Sequence, residues 1–370
     1  MQIVLISSHS KMLQCASALA TACHAAASGL RVLLVSVGPT HMLGELLQQE
    51  LGPRPKELDQ NLAAMELVAL DEIGQRWDTL RQGGRGGMPS NVRDVKSDEL
   101  PTFSGMDLIA LEMVADRAQQ SGRFDLAIFD GPSTDSLLGE VIVSDMLRWL
   151  VRMIFGLDRG PGKSRKSQEM ALLPTSLIPA NTIGIGLLQD LRTALDRTRD
   201  RVLDSTSGTR VRLAVHAEEL ALTSVRQAMN GLGLFGFHVD MVLACGAADE
   251  LDADTKTMFE PWLTLSPMTL SPTNQQGWAE RGKALYANHS QGLSINPTET
   301  SQAIKPLEER REVTLHIPFL KPDALDILLS NEEIIVRLDQ FRRNLLLPGI
   351  VEGGKLRAKV EGKTLRLWMS

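Results

Sequence analysis

Short apolar runs alternate with longer helical patterns over the first two thirds of the chain. Six runs rich in Val, Ile and Leu have the length of strands: 2–7, 31–36, 65–70, 124–130, 210–216 and 239–245. Helical patterns lie between them at 11–28, 105–120, 136–155, 186–204 and 218–232. Strands that are apolar on both faces and separated by helices are typical of a parallel sheet covered on both sides. The pattern therefore predicts a doubly wound, mostly parallel α/β domain.

The pattern changes near the C-terminus, where short segments alternate apolar and polar positions. Gly and Pro turn signals separate these segments, which indicates antiparallel strands. The segments are 312–318, 332–340, 341–348, 355–362 and 363–369. We predict a domain at 1–262 with a helical subdomain at about 136–205, a linker at 263–310, and a small all-β sandwich at 311–370.

Composition and charge narrow the classes of function. The chain has 370 residues and a formal net charge of −6, which disfavours a nucleic-acid partner. Its three cysteines form no CxxC pair, so no metal site is expected. The most apolar long stretch, 136–156, contains four charged residues, which argues against a bilayer span. We therefore expect a cytoplasmic protein with at most peripheral membrane contact.

The turn between the first predicted strand and the first helix is the first place to look for chemistry. A strand, a short turn and a helix often form a phosphate-binding loop, whose glycines let backbone N–H groups approach phosphate. The turn here, residues 7–11, reads "SSHSK" and contains no glycine. Residues alone therefore indicate the scaffold of a nucleotide site without its usual loop.

Three segments resemble the ArsA family, which includes arsenical-pump-driving and tail-anchored-protein-targeting ATPases. They are "ASGLRVLLVSVGPTHMLGELL" (27–47), "FDLAIFDGPSTDSLL" (124–138), and "RRNLLLP" followed by "LRAKVEGKTLRLWM". The last pair resembles the α-crystallin-like (small heat-shock protein) module that some members carry. The resemblance implies a P-loop NTPase fold of the SIMIBI type, a homodimer, and the use of ATP and Mg²⁺.

The family's phosphate loop, GKGGVGKTT, falls without a gap on residues 8–16, and no residue of it is retained. Each chemical role is lost: the glycines, the two lysines and the Mg²⁺-binding hydroxyl are all replaced. Phosphoryl transfer depends on positioning and electrostatic stabilisation, so these losses should abolish it. The residues that now occupy those loop positions are Ser8, His9, Ser10, Lys11, Leu13, Gln14 and Cys15.

The resemblance also assigns three positions outside the loop. The family's water-orienting Asp falls on Gly38, so no catalytic residue is expected. The family's adenine-reading Asn falls on Cys245, and Asp130 is the acidic residue kept on the metal side of the pocket. We therefore expect no cofactor, although the family would use ATP and Mg²⁺.

The leading hypothesis is a pseudo-ATPase that acts as a binding, targeting or chaperone-like homodimer for a hydrophobic or tail-anchored helix, or another apolar ligand. In the family, the helix after the switch region leads to a hydrophobic groove. The candidate client-binding residues are Met146, Leu147, Trp149, Leu150, Met153, Ile154 and Phe155. These residues also fit a plain buried core. The alternatives are a divergent active ATPase and a structural scaffold for a partner protein.

Overall fold

The computed structural model describes residues 1–38, 40–82, 94–102, 105–140, 209–247, 251–287, 312–330, 333–346 and 355–369. Most of the predicted helical subdomain at about 136–205, and all seven candidate client-binding residues between Met146 and Phe155, lie outside the described residues. Among the described helices, none is both long and apolar enough to cross a membrane.

A strand lies at or overlaps each of the six predicted runs of the main domain. The structure adds two strands and four helices that were not predicted, at Lys56–Asp59, Leu263–Ser266, Leu43–Leu47, Ala69–Gln82, Ala253–Phe259 and Gln275–Leu285. The strands are β1 (Gln2–Ser7), β2 (Val32–Val37), β3 (Lys56–Asp59), β4 (Leu62–Leu67), β5 (Leu126–Asp130), β6 (Thr209–His216), β7 (Val239–Cys245), β8 (Leu263–Ser266), β9 (Glu312–His316), β10 (Leu325–Ser330), β11 (Glu333–Leu338), β12 (Phe341–Leu346), β13 (Leu356–Glu361) and β14 (Thr364–Met369). The α-helices with defined bounds are α1 (Lys11–Ala27), α2 (Leu43–Leu47), α3 (Ala69–Gln82), α4 (Met106–Ser121), α5 (Thr223–Phe235), α6 (Ala253–Phe259) and α7 (Gln275–Leu285). Short 3₁₀ turns lie at Ser97–Glu99, Ala217–Ala221 and Pro322–Ala324, and residues 134–140 are helical.

Eight strands form one sheet in the order β3-β4-β2-β5-β1-β6-β7-β8. Every neighbouring pair is parallel except β3 and β4. The order places β1 between β5 and β6, so the chain leaves β1 towards β2 on one side and later returns to β6 on the other. The carboxyl ends of β1, β2 and β5 therefore meet at one edge, the usual location of ligand sites in such sheets.

Both faces of the sheet are buried, as the apolar strands predict. One core lies between the sheet and the helices α1, α2 and α7, and the other lies on the side of α4 and α5. Alanines occupy much of the buried surface of α1, which brings this helix close to its neighbours. The prediction of a mostly parallel α/β sheet is confirmed.

The predicted linker at 263–310 is wrong for its first part. Strand β8 pairs with β7 in the main sheet, and α7 packs against α1. Trp278 is fully buried, and its Nε1 donates to the carbonyl of Leu46 at 3.0 Å. At Gly282 an added Cβ would lie 2.0 Å from the carbonyl oxygen of Ala20. The sequence of α7 is mostly polar and shows no continuous apolar face, so the helix was not predicted. A few buried side chains and one close backbone approach hold it against α1.

Residues 312–369 contain two antiparallel sheets, ordered β10-β11-β12 and β13-β14-β9, which confirms the all-β prediction. Strand β10 was not predicted, because its run "LDILLS" does not alternate cleanly.

This β domain packs on α5. Asn230 donates from Nδ2 to the carbonyl of Phe319 at 3.3 Å and accepts from its backbone N–H at 2.9 Å. An added Cβ at Gly233 would lie 2.6 Å from the carbonyl of His316, so glycine permits this contact.

Candidate functional site

The turn between β1 and α1 has the form of a phosphate loop, but side chains of the turn and of the first turn of α1 accept from several of its N–H groups. Ser10 is the N-cap of α1, and its hydroxyl accepts from the N–H of Leu13 at 3.4 Å. The Ser8 hydroxyl accepts from the N–H of Ser10 at 3.1 Å. An N-cap serine satisfies a donor that would otherwise point out of the helix end. These donors are therefore occupied without a ligand.

Gln14 closes the turn from inside the first turn of α1. Its Oε1 accepts from the N–H of Ser8 at 2.9 Å. Its Nε2 donates to Asp130 Oδ1 at 2.7 Å and to the carbonyl of Gly131 at 2.6 Å. The side chain is fully buried. One amide thus joins the end of β1 to the end of β5.

Asp130 is the centre of the site. Its side chain is fully buried, and three side chains from two other elements donate to it. Lys11 Nζ and Gln14 Nε2 bind Oδ1, the former at 2.9 Å, and Ser36 Oγ from β2 binds Oδ2 at 2.8 Å. A buried carboxylate is tolerated when it is paired and hydrogen-bonded in this way. We call Lys11, Gln14, Ser36 and Asp130 the Asp130 network.

Cys15 lies beside the Asp130 network and is fully buried. Burial, and next the negative charge of Asp130, raise the pKa of the Cys15 thiol well above its usual range. The thiol is therefore protonated at neutral pH, whereas only a thiolate is an effective nucleophile or metal ligand. A protonated thiol does not replace the hydroxyl that binds a hard cation such as Mg²⁺.

The segment that follows β5 is fastened to the same turn. Ser7 Oγ donates to the carbonyl of Pro132 at 3.2 Å and lies 3.2 Å from Thr134 Oγ1. The N–H of Thr134 donates to the carbonyl of Ser8 at 3.2 Å. The end of β1 and residues 130–134 therefore form one hydrogen-bonded unit.

The remaining candidate positions lie outside this unit or at its surface. His9 Nδ1 lies 3.3 Å from Asp135 Oδ2, and both side chains are partly or largely exposed. Cys245 lies at the end of β7, two strands from β1, where its thiol donates to the carbonyl of Met268 at 3.1 Å. The structure thus brings Ser8, Ser10 and the Asp130 network together and places Cys245 apart from them.

Gly38 follows β2 at the same edge of the sheet. Its φ is +144°, a conformation that residues with a Cβ rarely adopt, although nothing lies within 4 Å of an added Cβ. The carboxylate that the family has here is therefore absent from a backbone that suits glycine.

Sequence reasoning missed three residues of this site. Ser7, Ser36 and Thr134 are buried and supply the hydrogen bonds described above. Ser7 and Ser36 are the polar members of otherwise apolar strand ends, "QIVLIS" and "VLLVSV". Polar residues at the carboxyl ends of two otherwise apolar parallel strands were the sequence signal that could have identified Ser7 and Ser36.

The donors present do not match the set that Mg-ATP requires. A phosphate loop offers unused backbone N–H groups, a lysine for the β- and γ-phosphates, and a hydroxyl for Mg²⁺. Here the N–H groups of Ser8 and Ser10 are bound internally, Lys11 is paired with Asp130, and a protonated thiol replaces the hydroxyl. Among the residues that the structure describes, no three His, Cys, Asp or Glu side chains are grouped to hold a metal ion.

The eight-stranded sheet with its strand-turn-helix at β1 is of the P-loop NTPase type. The family model for the anion-transporting ATPase matches residues 1–272, and the model for the HSP20-like domain found in ArsA matches residues 308–369. The chain therefore belongs to the ArsA family of anion-transporting ATPases, with the HSP20-like domain at its C-terminal side.

Relatives of similar length align over most of both chains. A protein of Prosthecochloris vibrioformis named "Putative arsenical pump-driving ATPase" is 24% identical over 357 residues, covering 90% of this chain and 87% of the relative. A protein of Chlorobaculum tepidum with the same name has the same identity and coverage. "Putative arsenical pump-driving ATPase 1" of Aquifex aeolicus is 21% identical over 373 residues, covering 92% and 93% of the two chains.

Proposed function

We propose that this protein is an ArsA-family member that has lost ATP hydrolysis and binds a hydrophobic helix or another apolar ligand without nucleotide. The observation that carries the first half is the Asp130 network. Gln14 and Lys11, two of the polar side chains at the former phosphate loop, are both bound to the buried Asp130 carboxylate. The groups that would hold phosphate are therefore used to stabilise the protein itself.

The charge balance of the turn argues in the same direction. Lys11 and Asp130 carry one positive and one negative charge and lie 2.9 Å apart. A triphosphate placed here would compete with Asp130 for Lys11 and leave the carboxylate buried without its cation. Asp130 is fully buried, so the loss of its cation would destabilise the site even though Gln14 and Ser36 still donate to it. Phosphate contacts would have to exceed that cost before any net binding appeared.

The second half of the proposal, ligand binding, rests on sequence and family membership. The stretch 137–155 is apolar almost all round, and its methionines and aromatic residues suit a surface that repacks against varied partners. Family membership supports a homodimer in which two such surfaces face one client. We place the client at Met146, Leu147, Trp149, Leu150, Met153, Ile154 and Phe155, which lie outside the described residues.

Isothermal titration with Mg-ATP tests the loss of nucleotide binding. We expect no saturable heat at ATP concentrations up to 1 mM, and no phosphate release above a protein-free blank. A matched titration of Asp130→Asn should also give no heat, because the network is not a binding site. Micromolar binding by the wild type, abolished in Lys11→Met, would overturn this half of the proposal.

Peptide capture tests the second half independently. The full chain is incubated with a fluorescent hydrophobic helical peptide or with a scrambled peptide of equal composition and charge. We expect enrichment of the helical peptide and a loss of it when Trp149 and Met153 are both changed to Asp. Equal retention of the two peptides by wild type, or unchanged capture by the double variant, would contradict client binding at 146–155.

A divergent, active ATPase is the second candidate, since the curated relatives carry the name of an ATPase. Its structural support is that Lys11 and Asp130 lie at the carboxyl edge where this fold places nucleotide. In that case ATP binding must separate the Lys11 and Asp130 side chains. The titration above distinguishes the two candidates directly. A scaffold for a partner protein, the third candidate, predicts neither ATP binding nor peptide capture.

A further inference from the structure

Glu140 is a buried acidic residue outside the Asp130 network. It lies at the end of the described helical segment 134–140 and is 6% exposed. Its carboxyl accepts from the backbone N–H of Leu108 in α4, while its Oε2 has no hydrogen-bond partner among the described residues. Burying an ionised carboxylate without enough donors costs far more than burying the neutral acid. The position therefore favours the protonated form.

The charges around Glu140 add to this preference. Asp107 lies on α4 next to the residue that donates to Glu140, and its negative charge opposes ionisation of Glu140. Burial is the larger cause, and together they raise the pKa of Glu140 to about 7. Burial also raises the pKa of Asp107, whereas Lys11 lowers it. Lys11 is itself bound to Asp130, so it is not available as a partner for Glu140.

The segment 134–140, which carries Glu140, contacts both α4 and the β1–α1 turn. Its leucines, Leu137 and Leu138, lie in the same core as Met106 and Leu108 of α4. The other charged side chain of the segment, Asp135, points to His9 at the surface. The start of the segment is bound to the β1–α1 turn through Thr134. A change in how Glu140 is accommodated therefore acts on a segment already tied to the candidate site.

We propose that Glu140 is a proton-operated switch for the contact between α4 and residues 134–140. When Glu140 holds its proton, the segment packs against the N-terminal turns of α4. When the proton leaves, the carboxylate draws away from Asp107 and towards water, and the segment opens more often. This control needs no nucleotide, and it holds whether or not the proposed loss of ATP hydrolysis is correct.

The direction of the pH effect follows from proton linkage. Because folding raises the pKa of Glu140 from 4.5 to about 7, the native segment binds more protons than the open one between these values. Its stability therefore falls as the pH rises through this window and levels off above about pH 7. The opening equilibrium of the segment should increase by roughly twentyfold between pH 5.5 and 7.5.

Hydrogen–deuterium exchange of the full chain measures this opening. Rates for peptides covering 134–140 are compared at pH 5.5 and 7.5 after correction for intrinsic exchange, with a peptide from α5 as internal reference. We expect the twentyfold increase in wild type and in Glu260→Gln, which changes an exposed glutamate, and a flat profile in Glu140→Gln. The same pH slope in Glu140→Gln as in wild type would overturn the proposal.

A second variant covers a folding failure of Glu140→Gln. Asp107→Asn removes the repelling charge but leaves Glu140 buried, so it should shift the opening transition to lower pH and reduce its amplitude. An unchanged transition in Asp107→Asn, or no pH dependence at 134–140 in the wild type, would contradict the proposed switch.

Discussion

Two buried polar clusters hold the main domain together, and one of them lies where the family binds nucleotide. The first is the Asp130 network at the carboxyl ends of β1, β2 and β5. The second, which we call the Arg212 network, joins β6, β7, α1 and the end of α7. Arg212 is 1% exposed and donates to both oxygens of Asp240, with the nearest contacts at 3.1 and 3.2 Å.

The contacts of the Arg212 network indicate a structural role. Arg212 Nη1 also donates to Tyr286 Oη at 2.9 Å, and that hydroxyl lies 2.7 Å from Thr21 Oγ1. The Asp130 network has the same properties: a buried acid, a paired cation and neutral donors from neighbouring elements. The comparison teaches that the same kind of buried cluster joins separate elements at the carboxyl ends of β1, β2 and β5 as it does elsewhere in the domain.

The largest effect is expected from breaking the Arg212 network. Arg212→Met leaves Asp240 buried without its main partner, which should lower the free energy of unfolding by about 3–5 kcal/mol. Arg31→Met is the control, because the Arg31–Asp125 pair is exposed and such surface pairs contribute little to stability. Urea unfolding measures both variants. Equal effects for the two would mean that the Arg212 network is not the fastening described.

Asp130→Asn separates a structural role from a functional one. If Asp130 is a fastening, the substitution removes the negative charge that pairs with Lys11 and weakens the remaining hydrogen bonds, and it should cost about 2–4 kcal/mol. Catalytic residues are often retained at the expense of stability, so their replacement commonly stabilises a protein. Urea unfolding gives the sign. A stabilised Asp130→Asn, with Asp125→Asn close to neutral, would place the Asp130 network among functional sites instead.

Gln14→Leu tests the contribution of the Gln14 amide to the Asp130 network. It removes an acceptor for Ser8 N–H and two donor contacts, to Asp130 and Gly131. Leaving such buried groups without partners should cost about 1–3 kcal/mol. The measurement is the urea midpoint at constant slope. If the midpoint does not move, water satisfies these groups and the turn is more open than the structure indicates.

Thiol reactivity gives the smallest but most local comparison. Cys15 beside the Asp130 network and Cys23 on the buried side of α1 are both fully or almost fully covered, and burial raises the pKa of Cys23 to about 12. We expect both to react slowly with a disulfide reagent, after the partly exposed Cys245. Mass spectrometry of digests assigns the rates. Faster labelling of Cys15 than of Cys23 would show that the β1–α1 turn opens in solution.

The mostly parallel sheet and the type of fold were predictable because the apolar runs in this sheet are covered on both faces. The strand-turn-helix at residues 2–27 was predictable for the same reason. Strand β8 and helix α7 were not, since α7 is anchored by Trp278 and by a glycine approach that only the folded chain reveals. Pattern reasoning finds elements with a continuous buried face and misses those fixed at a few points.

The candidate site, too, was only partly predictable from the sequence. Alignment placed Lys11, Gln14 and Asp130 at one edge of the sheet, and the structure brings them into contact. The roles of Ser36 and Thr134, and the use of the Gln14 amide to bind the Ser8 N–H, depend on distances across the fold. Sequence could indicate which phosphate contacts were missing, but not which contacts had replaced them.

The most direct test of the fastening is equilibrium urea unfolding of the wild type with and without 1 mM Mg-ATP. If the Asp130 network has replaced the phosphate site, the free energy of unfolding should be the same in both conditions within error. A ligand present at 100 times its dissociation constant would raise it by about 2.7 kcal/mol. A Mg-ATP-dependent increase of that size, absent in Lys11→Met, would contradict the replacement of the nucleotide site.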